Sequence, residues 1–456
     1  MRAAVLIGLL SAGCGDDLAV PGPDAPVVPG DIVAQLNALP GVTATEWTPT
    51  AGFTPKAGYR YLDLEIAQPV DHDHPELGTF AQYAALMWTD PAVPLVLFTP
   101  GYDRSWTRDL TEPAVILGAN QLSLEYRFYG GSQPVPVDFG KLTVHQNIED
   151  EHAILTALRP LYTGATVETG GSKGGENALE HASLYPADLD AVVAYVAPVI
   201  TANPDLRYAT ILDDIGIASC RTALRAIQRE MLTRRTAMQT RAAATDAYTL
   251  AGVAHATETA IVELEFAFWM TRGERDCGVV PATTASDDAV YKFLTDTSGP
   301  AGYADATLRA SGGQYIYQDQ AELGYPVWEH QHLDDLMMFS YEDWSAYLPA
   351  TPPPYDPAVP VALDAWLRAA PPHHVMFVGG EWDPWGAGYP AMATSADALR
   401  FTVAHGSHWS ASIFNLASAD RQAAVTALQA WARTSAARAP TGGPSLVQRL
   451  PIDRVR

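Results

Sequence analysis

The sequence predicts an α/β fold in which a mostly parallel sheet is interrupted by a helical cap. Three observations predict it. Short, continuous apolar runs at 94–99, 191–196 and 375–378, with a further core strand at 121–125, have the length of buried parallel strands. A glycine-dense turn, Gly170-Gly171-Ser172-Lys173-Gly174, separates a strand pattern from a helical one. From about 205 to 360 the alternation stops, and helical patterns follow one another without strands.

Composition sets the bounds. The chain has 456 residues, 48% hydrophobic and 18% charged, as in globular proteins; it is long enough for a large domain with an insertion. Its 52 acidic residues outnumber the 28 basic ones, for a net charge of −24. Such a field repels phosphates and argues against a nucleic-acid partner. No internal stretch is apolar for long enough to span a bilayer.

Taken in order, residues 1–14 read as an export signal. Arg2 is followed by the apolar Ala3 to Leu10, then by the small residues Ser11-Ala12-Gly13 and Cys14. Small residues directly before a cysteine resemble a bacterial lipobox, which makes Cys14 a lipidation site. Ser11 in place of the usual leucine leaves plain cleavage open. The chain is therefore expected to be exported, anchored or secreted, with a membrane as partner only through Cys14. Residues 15–30, rich in Asp, Pro and Gly, read as a tether.

The first part of the core is expected at 31–204. It opens with a short helix at 32–39 and strands at 59–66 and 79–88. His72 and His74, in the turn between those strands, read as turn histidines and not as metal ligands, because no third ligand completes a site. The run 94–99 ends in Pro100-Gly101-Tyr102, where the Tyr102 N–H can point into a site. Glu125 and Arg127 are expected to pair, since a buried charge left alone is costly. A helix at 143–158 leads to the strand before the glycine turn.

The cap is expected at 205–360, with helices at 220–244, 257–272, 285–295 and 342–347. The first carries Arg221, Arg225, Arg229, Arg234, Arg235 and Arg241, which read as a salt-bridged face. His330, His332 and Asp334 are spaced too closely for a metal site. Cys220 and Cys277 remain after export, where disulfides persist, and are expected to pair; two separate buried thiols are the alternative. The core resumes at 361–436, with strands at 375–378 and 399–403 and a closing helix at 423–434. Residues 437–456 read as a loose tail.

The chemistry gathers on three residues. Gly170-Gly171-Ser172-Lys173-Gly174 fits G-x-S-x-G, the nucleophile elbow of α/β-hydrolases. A serine on so tight a turn needs neighbours without side chains, and the helix that follows offers free N–H groups to an oxyanion. The Lys173 N–H and the Tyr102 N–H are the expected oxyanion donors. Asp383 and His408 each follow a predicted strand, giving the chain order Ser, Asp, His. Serine is a weak nucleophile, so His408 must take its proton, and Asp383 must orient and charge-stabilise the imidazole. His405 is the rival base, but His408 follows a Gly-Ser turn that reaches back over the elbow.

Several motifs carry a family resemblance. Glu125-Tyr-Arg-Phe-Tyr-Gly-Gly-Ser132, Gly170-Gly-Ser-Lys-Gly-Gly175 and Tyr195-Val-Ala-Pro198 resemble the secreted bacterial tripeptidyl aminopeptidases, serine peptidases allied to prolyl carboxypeptidase and the lysosomal-type dipeptidyl peptidases. Gln68-Pro-Val-Asp-His72, Cys220-Arg221, Gln228-Arg-Glu230, Cys277 and Glu322-Leu-Gly-Tyr-Pro326 are similar too, so the resemblance spans about residues 60 to 415. It implies an α/β-hydrolase fold with a helical cap inserted between core strands. It also implies release of short peptides, tripeptides above all, from free N-termini, with no cofactor. Carried over, Ser172 is the nucleophile, Asp383 the orienting acid and His408 the base. The chain departs from the pattern at Tyr126, at Glu176 and around Ser407-His408-Trp409.

Three functions compete: an exopeptidase, an esterase or lipase on the same triad, and a surface lipoprotein that only binds. A complete triad argues against the last. An aminopeptidase needs a carboxylate for the substrate ammonium, whereas a lipase needs an apolar trough. Glu322, in the cap beside Gly324, is the first expected anchor, with a salt bridge to a cap arginine as its alternative role. Glu176, just after the elbow, is the second, with a first-turn dipole role as its alternative.

Overall fold

The computed structural model describes residues 30–433, apart from 51–52, 104–107, 342, 370 and 372. The expected signal, Cys14, nearly all of the tether and the tail lie outside the described residues. Nine strands form one sheet: β1 (Val42–Glu46), β2 (Arg60–Pro69), β3 (Thr79–Trp88), β4 (Leu95–Phe98), β5 (Asn120–Leu124), β6 (Thr166–Gly171), β7 (Ala191–Tyr195), β8 (Val375–Gly380) and β9 (Ala398–Val403). Their order is β1-β2-β3-β5-β4-β6-β7-β8-β9. The β1–β2, β2–β3 and β3–β5 pairs are antiparallel, and every pair from β5 to β9 is parallel.

Helices cover both faces of the parallel part, and alternate residues of each strand face each layer. Leu97, Val192 and Phe377 join one core with Leu155, Leu179 and Leu363, from the helices Val144–Leu158, Lys173–Leu184 and Ala358–Arg368. Val96, Val193 and Met376 join the other with Ile116 and Leu428, from the helices Glu112–Leu117 and Ser418–Trp431. This two-sided burial is why those strands read as unbroken apolar runs.

Between β7 and β8 the chain leaves the sheet and builds the cap around its own core, which includes Leu224, Ile261, Phe268, Trp269 and Trp344. Cys220 and Cys277 are joined there, with Cα atoms 5.5 Å apart. The helix expected at 285–295 is Asp287–Ser298, and the other expected cap helices are shorter than the sequence predicts. The run 220–244 is two helices, Ala218–Thr233 and Arg235–Ala243, broken at Arg234 (ψ 22°). Arg234 binds Glu230, Asp287 and the carbonyl of Ala285, so the break follows a tertiary anchor. The run 257–272 is likewise two helices, Val253–Val262 and Leu264–Thr271, that meet at Glu263. The expected helix at 342–347 is only a turn of 3₁₀ at Ser345–Tyr347. A helical run from Asp305 to Leu323, the strand β1 and the helix Ala358–Arg368 were not legible from pattern.

Arg127 and Glu125 take separate partners. The Arg127 guanidinium, fully buried, grips Asp150 with Nε and Nη2 at 2.8 and 2.7 Å. Glu125 instead accepts from the Gly131 and Ser132 N–H groups at 2.8 and 3.0 Å, closing the turn that follows β5. The expected pairing of the two gives way because Arg127 meets Asp150 across the fold and Glu125 closes its own turn. His72 also binds Asp150, at 2.7 Å.

Candidate active site

β6 runs straight into Ser172, and the helix Lys173–Leu184 starts one residue later. Ser172 has φ 56° and ψ −130°, a backbone conformation that L residues rarely adopt. The turn holds because its flanking glycines let three backbones touch. A Cβ on Gly174 would meet the Thr99 carbonyl at 2.2 Å, and one on Gly170 the Gly174 carbonyl at 2.3 Å. Gly101 is pressed against the same turn, with φ 76°, and a Cβ there would lie 2.7 Å from the Gly174 nitrogen. The chain after β4, including Tyr102, is therefore seated directly on the elbow.

Asp383 follows β8, and His408 follows β9. Both are buried, and His408 Nδ1 lies 2.6 Å from Asp383 Oδ2. Asp383 is fixed from two further sides: its Oδ1 accepts from the Trp385 N–H at 3.0 Å and its Oδ2 from the Tyr389 hydroxyl. The other imidazole nitrogen, His408 Nε2, is buried with no hydrogen-bond partner among the described residues. His405 is exposed and stacks on Trp382 with ring centroids 4.2 Å apart.

Lys173 is buried behind the elbow. Its Nζ donates to the Gly101 carbonyl at 2.7 Å and sits 3.3 Å from the centre of the Tyr126 ring. Burial pushes its ammonium down to about 7, against the pull of Asp319, Glu322, Glu176 and Glu180. Tyr126, which departs from the family pattern, is thus one wall of a cage for this cation.

Ser172 and Tyr102 line a cavity that is partly open to solvent. Its other lining comes from the cap and from Trp385, whose ring centre is 6.5 Å from that of His408. Phe266, Tyr315, Trp328 and Trp344 make it aromatic.

Neither expected anchor lines this cavity among the described residues. Glu322 caps a core helix: its Oε1 accepts from the Val144 N–H at 2.7 Å and from Gln318 at 2.9 Å. Burial pushes it up to about 7, while Gln318, the Val144 N–H and Lys173 hold it down. Glu176 is buried beside Lys173, and burial raises it to about 8 against that cation. The carboxylate that does line the cavity is Glu263. A signal for it exists in the sequence, for Glu263 and Glu265 interrupt an otherwise apolar run. Glu265 pairs with Arg225 at 2.9 Å.

The profile of the PS-10 peptidase S37 family matches residues 26–452. A prolyl tri/tetrapeptidyl aminopeptidase of Streptomyces mobaraensis is 34% identical over 447 residues, which is 95% of this chain and 91% of that one. Among solved structures, the proline iminopeptidase of Mycobacterium smegmatis covers 81% of this chain and 99% of its own at 14% identity, with a TM-score of 0.39. An α/β-hydrolase fold protein of Nakamurella multipartita covers 77% and 96% at 15% identity, with a TM-score of 0.33. With a profile matched over nearly its whole length, the chain belongs to the peptidase S37 family and is a serine peptidase.

Proposed function

We propose that this peptidase releases short peptides, tripeptides above all, from the free N-termini of polypeptides by an acyl-enzyme route. The observation that carries the reading is the buried Asp383–His408 contact, which leaves His408 Nε2 without a partner while Ser172 sits on a strained elbow. In the mechanism, the Ser172 Oγ attacks the scissile carbonyl and gives its proton to His408 Nε2. His408 Nδ1–H stays bonded to Asp383, which stabilises the imidazolium. The N–H groups of Tyr102 and Lys173 receive the oxyanion; Lys173 opens the elbow helix, where N–H groups lack carbonyl partners. Collapse of the intermediate expels the shortened polypeptide, whose amine takes the proton from His408. Water, activated by the same histidine, then frees the N-terminal peptide.

The relative from Streptomyces mobaraensis supports the exopeptidase reading, and the aromatic lining suits an apolar or prolyl ring. The alternative, an esterase or lipase, is favoured by no single observation. The proposed export of the chain, with a lipid on Cys14, rests on the N-terminal sequence alone. Mass spectrometry of products from a free and an N-acetylated decapeptide tests the reading: tri- or tetrapeptides from the free form only are expected. Equal cleavage of both, or internal cuts, would replace it with an endopeptidase or a broad hydrolase.

A further inference from the structure

In the turn Gly170-Gly-Ser-Lys-Gly-Gly175 only Lys173 carries a long side chain, and that side chain is buried. A buried ammonium needs acceptors and counter-charge. Its Nζ donates to the Gly101 carbonyl at 2.7 Å. The ring centres of Tyr126, Tyr129 and Tyr102 lie 3.3, 5.1 and 5.2 Å from it and form a cage whose faces favour a cation. Burial opposes the charge, while Asp319, Glu322, Glu176 and Glu180 favour it. The Gly101 carbonyl belongs to the same peptide unit as the Tyr102 N–H, and that peptide is trans. In a trans peptide the C=O and the N–H point opposite ways. The carbonyl turns to Lys173, so the N–H turns away from it, and Tyr102 lines the cavity together with Ser172. The next peptide is pinned too, for the Tyr126 N–H donates to the Tyr102 carbonyl at 2.9 Å.

We propose that the Lys173 ammonium is a positioning group for the oxyanion site: it grips the Gly101–Tyr102 peptide and so holds and polarises the Tyr102 N–H toward the oxyanion formed at Ser172. This rests on the triad reading above. An amide whose carbonyl accepts a hydrogen bond becomes a stronger donor at its N–H, because bonds in a chain polarise one another. A charged donor does so more than a neutral one. Lys173 thus serves both expected oxyanion donors, its own N–H directly and that of Tyr102 through the carbonyl behind it. Gly101 belongs to the same device. With φ 76° and a Cβ that would lie 2.7 Å from the Gly174 nitrogen, only a residue without a side chain seats this peptide on the elbow. The charge stands behind the reacting atoms and does not meet the substrate, so it acts on the chemical step and leaves binding alone.

The test begins with Lys173→Met, which keeps the reach of the side chain and removes its charge and its donor. The probes are Ala-Ala-Pro-p-nitroanilide with a free amine, its N-acetyl form, and p-nitrophenyl acetate, with kcat counted per site labelled by a fluorophosphonate. K173M should lose kcat on the order of 10–100-fold on every probe, with KM of the anilides within about twofold and the free-to-acetyl ratio unchanged. Wild-type kcat in a folded K173M protein overturns the proposal, as does a loss carried by KM. A second variant asks whether Lys173 acts through the amide: Tyr102 is replaced by its α-hydroxy acid, which puts an ester oxygen in place of the N–H. That protein should itself lose kcat, and in its background K173M should cost no more than about twofold. The full K173M loss in that background overturns the proposal by making Lys173 merely structural. Failure of the underlying reading shows differently. A wild type that takes no label at Ser172, or an ester variant with wild-type kcat, removes the triad or its Tyr102 donor, and the proposal falls with it. Should circular dichroism show K173M unfolded, K173M combined with Glu176→Gln decides, because it removes a cation and an anion together. Measured against E176Q alone, the pair should show the same loss in kcat; an unchanged kcat overturns the proposal.

Discussion

The core side and the cap side of the cavity are built by different means. On the core side, Ser172, Asp383 and His408 stand on turns that leave β6, β8 and β9, and the backbone itself fixes them. On the cap side, Glu263 and its tyrosines stand on short helices and loops and meet through side chains. Parallel strands aim their carboxyl ends at one edge, so chemistry placed there is positioned by the sheet. A helical cap has no such common edge, and each of its residues is placed by packing. Variants on the two sides should therefore affect cleavage and substrate choice separately.

The largest effect is expected on the core side. Ser172→Ala should cut kcat on the order of 10⁴–10⁶-fold for peptides and esters alike, with an unchanged melting curve. A folded S172A protein with wild-type turnover would remove the nucleophile from Ser172. His408→Ala should be comparably damaging, while His405→Ala, whose ring only stacks on Trp382, should stay within about tenfold. The reverse ranking would move the base to His405.

Asp383→Asn should come next, at about 10⁴-fold in kcat, because an amide favours the wrong imidazole tautomer. Retention of more than a tenth of the wild-type rate would mean that Trp385 and Tyr389 can hold the loop without the charge.

On the cap side, removing the 220–277 bridge with Cys220→Ser and Cys277→Ser should lower unfolding stability by about 2–4 kcal/mol. Turnover of p-nitrophenyl acetate should survive this change better than selectivity for free amines. Parallel loss of both would show that cap and core are one cooperative unit.

The smallest effect concerns pH. Glu176 is raised by burial to about 8, so between about 4.5 and 8 the folded state binds more protons than the unfolded one. Its contribution to stability is then present below about 4.5 and lost as pH rises through about 8. The urea midpoint of Glu176→Gln should fall less steeply across that window than the wild-type midpoint. Identical slopes would mean that Lys173 keeps Glu176 ionised.

Much of the core side was legible in the sequence. The elbow demanded glycines at 170 and 174, and close backbone contacts at both now give the reason. Asp383 was placed by a strand recognisable as an apolar run, because two-sided burial of β8 leaves no polar alternation, and chain order then set Ser172 before it and His408 after it. Short-range rules govern these features: φ at a turn, apolar continuity in a strand, chain order along a sheet edge.

Tertiary structure alone decided the rest. Arg127 reaches Asp150 and not Glu125, because partners across 23 residues are set by how the helix Val144–Leu158 packs. Glu322 was the first candidate by position and Glu176 the second, yet one caps a helix and the other lies behind the elbow with Lys173. Glu263 and Glu265 sit two apart on one apolar run, and the sequence treats them alike. Helical geometry turns positions two apart to different faces, so one meets Arg225 and the other meets three tyrosines in the cavity. Local chemistry determined the elbow and the strand edges; long-range packing determined which partner each buried charge meets.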